Sequence, residues 1–407
     1  MTPLIIRINI AASDAFIYAE NLFLILKDGR VGRVTLFRIA RKVFGDDRSQ
    51  EQFLRIAFLR NDYYSNTQGS MFFGIEAIAR AFEVAWHNQS SQPFEVELSD
   101  VDVEWMGELP HSSIVLDMRA YAMRLFIASS DSVHEIPLNF DREAYKFHPG
   151  KIRRVFDGSG MSLSAKGGEI LVSSGHDGLV NGTISEGGKT RVSDRPIREV
   201  SFRCGWNGFN LLNYFDQSHF DYLINDTAKS DLKIERFRVD EGPTKRITKF
   251  GIKVLPGQSL ERIAAVQGNS VVYAFNSSSS TYMYDTSGTL TISSILKEKG
   301  NEIPHLSSRP KTMKMGAEKR GMINRPVSHA IVPGGCVIEF FDRVEICQKN
   351  KVETLQGGAM LSTRSYINSV RYKNLVTTVS EEAITIFSIY PLDFTAIKRT
   401  PAILDEV

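Results

Sequence analysis

The sequence predicts an all-β protein, a seven-bladed β-propeller with a two-helix insertion between its first and second blades. Three observations carry this expectation. A short apolar strand runs into a tight polar turn and out into a second strand seven times along the 407 residues. The copies recur with a period of tens of residues, the mark of a repeat architecture. The one very long gap between copies holds a stretch whose apolar residues switch from a period of two to helical spacing.

The hairpin copies read LFLILKDGRVGRV from Leu22, RLFIASSDSVHEI from Arg124, EILVSSGHDGLVNGTI from Glu169, NLLNYFDQSHFDYLI from Asn210, SVVYAFNSSSSTYMYD from Ser270, CVIEFFDRVEICQ from Cys336 and NLVTTVSEEAITIFSI from Asn374. Their turns centre near Asp28, Ser130, Asp177, Gln217, Ser278, Asp342 and Glu381. Three intervals are about 40 to 46 residues, and the first, about 102, falls to about 42 once a helical stretch of roughly 60 is subtracted. Two others, about 61 and about 64, contain loop insertions. A four-stranded blade needs roughly 40 to 45 residues.

Within each unit Val, Ile, Leu, Phe and Tyr fill the arms, and the connectors use Asp-Gly at Asp28 and Asp177 or clusters of Ser, Asn and Asp, which tolerate hairpin geometry. A third strand precedes several hairpins: AFIYAE from Ala15, MSLSAK from Met161, ERIAAVQG from Glu261 and SHAIVPGG from Ser328. A further extended segment lies upstream in KIRRVF from Lys151, IREVSF from Ile197 and FGIKVL from Phe250. That makes about four strands per unit. LIIRINI from Leu4 stands ahead of the first unit, so it is expected to pair with the last blade and leave no bare edge.

The units resemble β-propellers of the WD-repeat-like kind over nearly the whole chain outside the insertions. SSGHDGLVNGTI from Ser173 comes closest, with a small-residue turn and Asp-Gly at the central hairpin. The Trp-Asp ending and the Gly-His opening of that family are absent, so the resemblance rests on period and strand pattern. It implies an architecture, and one architecture hosts many functions.

Composition narrows the class. A hydrophobic fraction of 42% and a charged fraction of 24% are near globular averages. Lys plus Arg number 49 against 47 Asp plus Glu, so no whole-molecule field favours nucleic acid or an anionic membrane. Cys204, Cys336 and Cys347 are too few and too scattered for a disulfide framework or a CxxC metal site, and read as buried thiols. The N-terminal stretch carries Arg7 and Asn9 and does not read as a secretory signal. No window approaches the roughly 18 apolar residues of a spanning helix. The cytoplasm is the expected compartment, with no membrane partner.

The expected insertions occupy residues 40–92 and 297–325 of a single propeller spanning 1–407. In the first, Ser49 to Gln52 has capping-box spacing. Phe53, Ile56, Ala57 and Leu59 follow on one helix, and Ile75, Ile78, Ala79, Phe82 and Trp86 mark one face of a second. The pair either covers a sheet or serves as a docking arm, since insertions in repeat proteins gather on one face. The second insertion is a basic loop with Lys311, Lys314, Lys319, Arg320 and Arg325, balanced by Glu298, Glu302 and Glu318. Arg38, Arg41 and Lys42, in RVTLFRIARK from Arg33, and Arg55 add cations to the first. These nine cations are the candidate partner-binding residues, for a protein surface or for nucleic acid, which needs clustered cations more than any fold. EVELSDVDVEW from Glu95 is acidic and shifts alternation phase near Ser99, the pattern of a β-bulge on an exposed outer strand.

Phosphate loops, dinucleotide fingerprints, GxSxG and HExxH are missing. His87, His111, His134, His148, His176, His219, His305 and His329 include no pair at metal-ligand spacing. His176-Asp177 reads as a hairpin tip, with Gly178 supplying positive φ. The sequence therefore calls for no catalytic residue, cofactor or metal. The function expected is a non-catalytic protein-interaction scaffold or subunit of a larger complex, binding through propeller loops and the helical insertion. The alternatives are a nucleic-acid-associated subunit using the basic segments and a propeller enzyme with a channel-mouth site.

Overall fold

The computed structural model describes residues 2–45, 53–64, 66–90, 92–110, 113–141, 146–184, 190–198, 200–207, 210–215, 220–225, 252–254, 271–277, 279–296, 305–306, 309–315, 325–348 and 351–391. Strand β1 (Leu4–Asn9) leads into the first sheet, β2 (Ala12–Tyr18), β3 (Asn21–Leu26) and β4 (Arg30–Thr35). Helices α1 (Leu36–Phe44), α2 (Arg55–Leu59), α3 (Thr67–Phe73) and α4 (Glu76–Gln89) follow, then β5 (Phe94–Glu97) and β6 (Glu104–Glu108), which completes the first sheet beside β4. The second sheet contains β7 (Val115–Tyr121), β8 (Arg124–Ser129) and β9 (Ser132–Asp141), with β10 (Lys146–Pro149) and β11 (Arg153–Asp157) both on β9. The third is β12 (Ser162–Lys166), β13 (Glu169–Ser173), β14 (Leu179–Thr183) and β15 (Arg191–Ile197). The fourth is β16 (Arg203–Asn207), β17 (Asn210–Tyr214), β18 (Phe220–Asn225) and β19 (Ile252–Val254).

In the fifth sheet β20 (Val271–Asn276), β21 (Ser280–Asp285) and β22 (Thr289–Leu296) carry β23 (His305–Leu306) and β24 (Lys311–Lys314), both paired to β22. The sixth is β25 (Pro326–Val332), β26 (Gly335–Phe340), β27 (Arg343–Gln348) and β28 (Lys351–Gly357). The seventh joins β29 (Ser362–Ser365), β30 (Leu375–Val379) and β31 (Ala383–Ser388) to β1 and then β5. Strand order follows chain order within each of the first six sheets, and the first strand of the chain enters the last. This is the connectivity of a seven-bladed β-propeller with a helical insertion.

By internal contact the chain forms two compact units, one of Met1–Leu125, Ile136–Arg153 and Met313–Val407, the other of Phe126–Glu135 and Arg154–Thr312. In the first unit β1 pairs antiparallel to β31 from Leu4↔Ser388 to Asn9↔Ala383, so the expected closure is present. Middle strands read as continuous apolar runs because both of their faces are covered: every residue of β3 and β31 is buried. Outer strands are more open, as in β28, where every residue of KVETLQG is exposed or half-buried. Ala330, Val332, Val337, Val344 and Ile346 of the sixth sheet bury against Val376, Phe387 and Ile389. In the second unit Leu171, Leu179 and Ile197 form a core against which Cys204 and Trp206 pack. There Arg203 lies 4.4 Å above the Tyr214 ring and 4.6 Å above that of Tyr273, joining β16 and β17 to β20.

Four details depart from the sequence reading. The pair from Val271 to Asp285 forms the first two strands of its sheet, so the central hairpin there is β21–β22, turning through Asp285–Gly288 rather than at Ser278. Ser-rich and Asp-Thr-Ser-Gly turns are equally good hairpin signals, and only the strand order separates them. The segment from Ile197 ends β15, and Ser201 makes an isolated bridge to Gly175 instead of entering a strand. The phase shift near Ser99 is not a bulge: a 3-10 turn at Leu98–Asp100 passes the chain from β5, parallel on β1, to β6 on β4, and the register shift of that last pair falls at Trp105–Gly107. The alternation phase changes there because the strand changes sheets. Among the described residues the insertion carries four α-helices and a 3-10 segment at Asn61–Tyr64 where two helices are expected; Asn66 caps α3 and Gly74 ends it. ERIAAVQG and the Ser49–Gln52 box lie outside the described residues, while β23 and β24 fall within the segment read as a basic loop.

Candidate interaction surfaces

The helical insertion belongs to the first unit and is fused to its seventh sheet. Thr35 caps α1 by accepting from the Arg38 backbone N–H at 3.3 Å, and Leu36, Ile39, Ala40 and Phe44 form the buried stripe. On α2 the buried face is Ala57 and Phe58, next to Leu54; it is turned one residue from the expected face, and Phe53 is exposed. Asn66 accepts from the Gly69 N–H at 2.6 Å, and a Cβ on Gly69 would meet the Tyr63 carbonyl oxygen at 1.7 Å, so only glycine fits. Tyr64, Phe73, Phe82 and Trp86 then stack in sequence, with centroids 5.9, 5.2 and 5.7 Å apart. Burial pushes the Tyr64 phenol well above its ordinary pKa.

That aromatic column ends on the sheet. Trp86 meets Tyr390 edge-on at 5.2 Å and donates from Nε1 to the Thr2 carbonyl at 2.9 Å. Ser388 donates to the Ala57 carbonyl at 2.7 Å, and Asn61 accepts from the Asn374 N–H at 3.1 Å. The insertion thus clasps the seam where β1 meets β31.

The candidate cations divide. Arg38 donates from Nη1 to the Asp102 carbonyl at 3.1 Å, and Lys42 Nζ is 3.3 Å from Asp100. Arg33 pairs with Glu104 on the adjoining strand. The basic and acidic runs that the sequence shows as separate features therefore meet side by side. These are mostly exposed pairs that stabilise little, but they neutralise one another's field. Arg41 is exposed on α1, and Arg55 is half-buried at the start of α2. Lys311 and Lys314 are exposed on β24, Arg325 is exposed before β25, and Lys319 and Arg320 lie outside the described residues.

Exposed apolar side chains offer a different kind of surface. In the first unit Phe341 is 80% exposed, Met71 73%, Val370 70% and Ile114 67%. Phe341 stands at the tip of the two-residue β26–β27 turn. Arg343 reaches Asp342 at 2.8 Å and Glu345 at 2.6 Å while stacking 4.2 Å over Phe340, and the Gly358 N–H donates to the Asp342 carbonyl at 2.7 Å. A large apolar side chain is thus held out to solvent on a braced turn. Nothing in local sequence distinguishes this phenylalanine from the buried Phe340 beside it except its place at the turn.

The unit's interior contains a charge cluster that sequence reading missed. Arg364 on β29 reaches Asp14 on β2 and Asp117 on β7, each at 2.5 Å, with the three side chains 11%, 2% and 5% exposed. Burial opposes the guanidinium charge, yet Asp117 and Asp14 outweigh it and raise the Arg364 pKa. Nearby Tyr366 is pushed by burial up to about 12, and burial also raises the Glu339 carboxyl. One arginine ties the leading strands of three sheets.

Among the described residues no three His, Cys, Asp or Glu converge as a metal site. His176 and Asp177 are exposed in a turn where the Asp177 N–H donates to Ser174 and Gly178 has φ of 86°. Cys336 and Cys347 are buried, while Cys204 is only half-buried. Among the described residues no helix is long and apolar enough to cross a membrane.

No protein-family model and no curated protein sequence matches the chain. Among solved structures, Raptor from Chaetomium thermophilum is 8% identical with a TM-score of 0.47, the match covering 95% of this chain and 29% of that one. The Pan2 WD40 domain of Neurospora crassa is 10% identical with a TM-score of 0.42, covering 94% and 90%. The computationally designed Ika8 protein is 8% identical with a TM-score of 0.44, covering 96% and 100%.

Proposed function

We propose that this chain is a non-catalytic interaction scaffold, a cytoplasmic subunit of a larger protein assembly that binds partners through its hairpin turns and the outer face of its helical insertion. The observation that supports this most is Phe341, 80% exposed on a turn braced by Arg343. Such a side chain costs solubility when free and loses little conformational entropy when a partner covers it, which is the behaviour of a binding anchor. Met71 and Ile75 on the insertion, 73% and 45% exposed, extend the same argument to the helices.

A nucleic-acid role finds less support, because Arg38 and Lys42 face Asp102 and Asp100. Affinity purification of the tagged chain from its native cell, with and without nuclease, tests the proposal. Stoichiometric protein partners that survive nuclease and are lost from Phe341→Ser, with an unchanged melting temperature, are expected. Recovery of nucleic acid alone, or partners retained by both Phe341→Ser and Met71→Ser, would refute it.

A further inference from the structure

Three sulfurs come together in the first unit. Cys336 on β26 and Cys347 on β27 are direct register partners, 0% and 1% exposed. The Cys336 thiol donates to Cys347, and Cys347 in turn donates to the thioether of Met315, 2% exposed. The two backbones approach closely here, since a Cβ on Gly335 would meet the Cys347 carbonyl oxygen at 1.8 Å. Directly opposed residues of an antiparallel pair have Cβ atoms about 4.5–5.5 Å apart, and a disulfide needs about 3.5–4.5 Å. Closure therefore asks for a shift on the order of 1 Å.

We propose that Cys336 and Cys347 are a reversible cross-strand disulfide site whose reduced form is held by Met315. The oxidant is a small disulfide such as glutathione disulfide. One protein thiolate attacks it and releases one glutathione; the second thiolate attacks the mixed disulfide and releases another. Two protein thiols and one small disulfide thus become one protein disulfide and two small thiols. In the closed state the bond that Cys336 donates to Cys347, together with burial, holds the Cys336 thiol well above its ordinary pKa, so exchange runs through local opening of the hairpin. Oxidation removes the proton that Cys347 donates to Met315.

The test equilibrates the full chain, without oxygen, in a graded series of reduced and oxidised glutathione, followed by acid quench and peptide mass analysis. The same buffers are also reached by refolding the denatured chain, so access to the buried thiols does not limit the result. Native protein should acquire a Cys336–Cys347 link with unchanged circular dichroism. Met315→Leu should move the midpoint toward oxidation by about two- to five-fold, because the reduced form loses its S–H···S bond. The proposal fails if the most oxidising buffer leaves both thiols free in folded protein, if the link forms only in chains that do not refold, or if Met315→Leu leaves the midpoint unmoved.

Discussion

Replacing Arg364 by methionine should destabilise the first unit by about 3 kcal/mol, the lower end of the cost of stranding buried charges. The side chain fits, but the carboxylates of Asp14 and Asp117, 2% and 5% exposed, lose the cation that each meets at 2.5 Å. The lower end applies because other bonds remain. Asp14 still accepts from Ser362 Oγ at 2.6 Å and the Ala15 N–H at 2.8 Å, and Asp117 from the Met118 N–H at 2.8 Å. In urea, with a slope of about 3 kcal/mol per molar for a protein of this size, the midpoint should fall by about 1 M. Lysine should recover part of the loss, having the charge without the two-armed donor geometry. Adding Asp14→Asn and Asp117→Asn to Arg364→Met should recover most of it, since no charge is then left unpaired. A midpoint within about 0.3 M of the parent for Arg364→Met, or no recovery in the triple variant, would refute the reasoning.

Other consequences follow from the same unit and its neighbour. Trp86→Ala should cost about 3–5 kcal/mol in calorimetry, and deleting residues 2–10 should abolish cooperative unfolding of the first unit, because both dismantle the clasped seam; unchanged melting would make the insertion a dispensable arm. The turn residues Ala122 and Met123 sit at φ of 48° and 56°, where the corresponding turn of the third sheet uses Gly167 and Gly168. Changing Ala122 to Asn and Met123 to Gly should therefore stabilise by about 1 kcal/mol in urea unfolding, and a loss would contradict the strain argument. His134 has its pKa lowered by burial and then by Arg154, against a smaller opposing pull from Asp131. The unfolded chain thus takes up the proton first, and this stability is complete above about pH 6.5 and lost as pH falls toward the folded value. His134→Gln should flatten the melting temperature between about pH 7.5 and 5.5; an identical slope would reassign the effect.

Much of the architecture is a local matter and was legible. Apolar alternation and Asp-Gly turns mark hairpins within about a dozen residues, so all but the fifth of the central hairpins are found near the residues named for them, and LIIRINI reads as a strand in want of a neighbour. The fifth fails for a local reason as well: two good turns flank β21, and nothing within the segment says which joins the middle strands. The helical switch after Thr35 is equally local, although its division by Asn66 and Gly74 is not resolved by periodicity.

Charge partnership was not legible, because it is decided at long range. Arg364 finds Asp14 across a separation of 350 residues, and Arg38 finds Asp102 across 64. Isolated in sequence, a basic run and an acidic run look like two surfaces seeking partners; folded, they are partners to each other. The sequence by itself determined the number of hairpins, the strand that completes the last sheet and the presence of a helical insertion, since each depends on the conformational preferences of neighbouring residues. The tertiary structure alone decided which charges are neutralised, since the partners of Arg364 and Arg38 are set by the packing of strands and helices far apart in the chain.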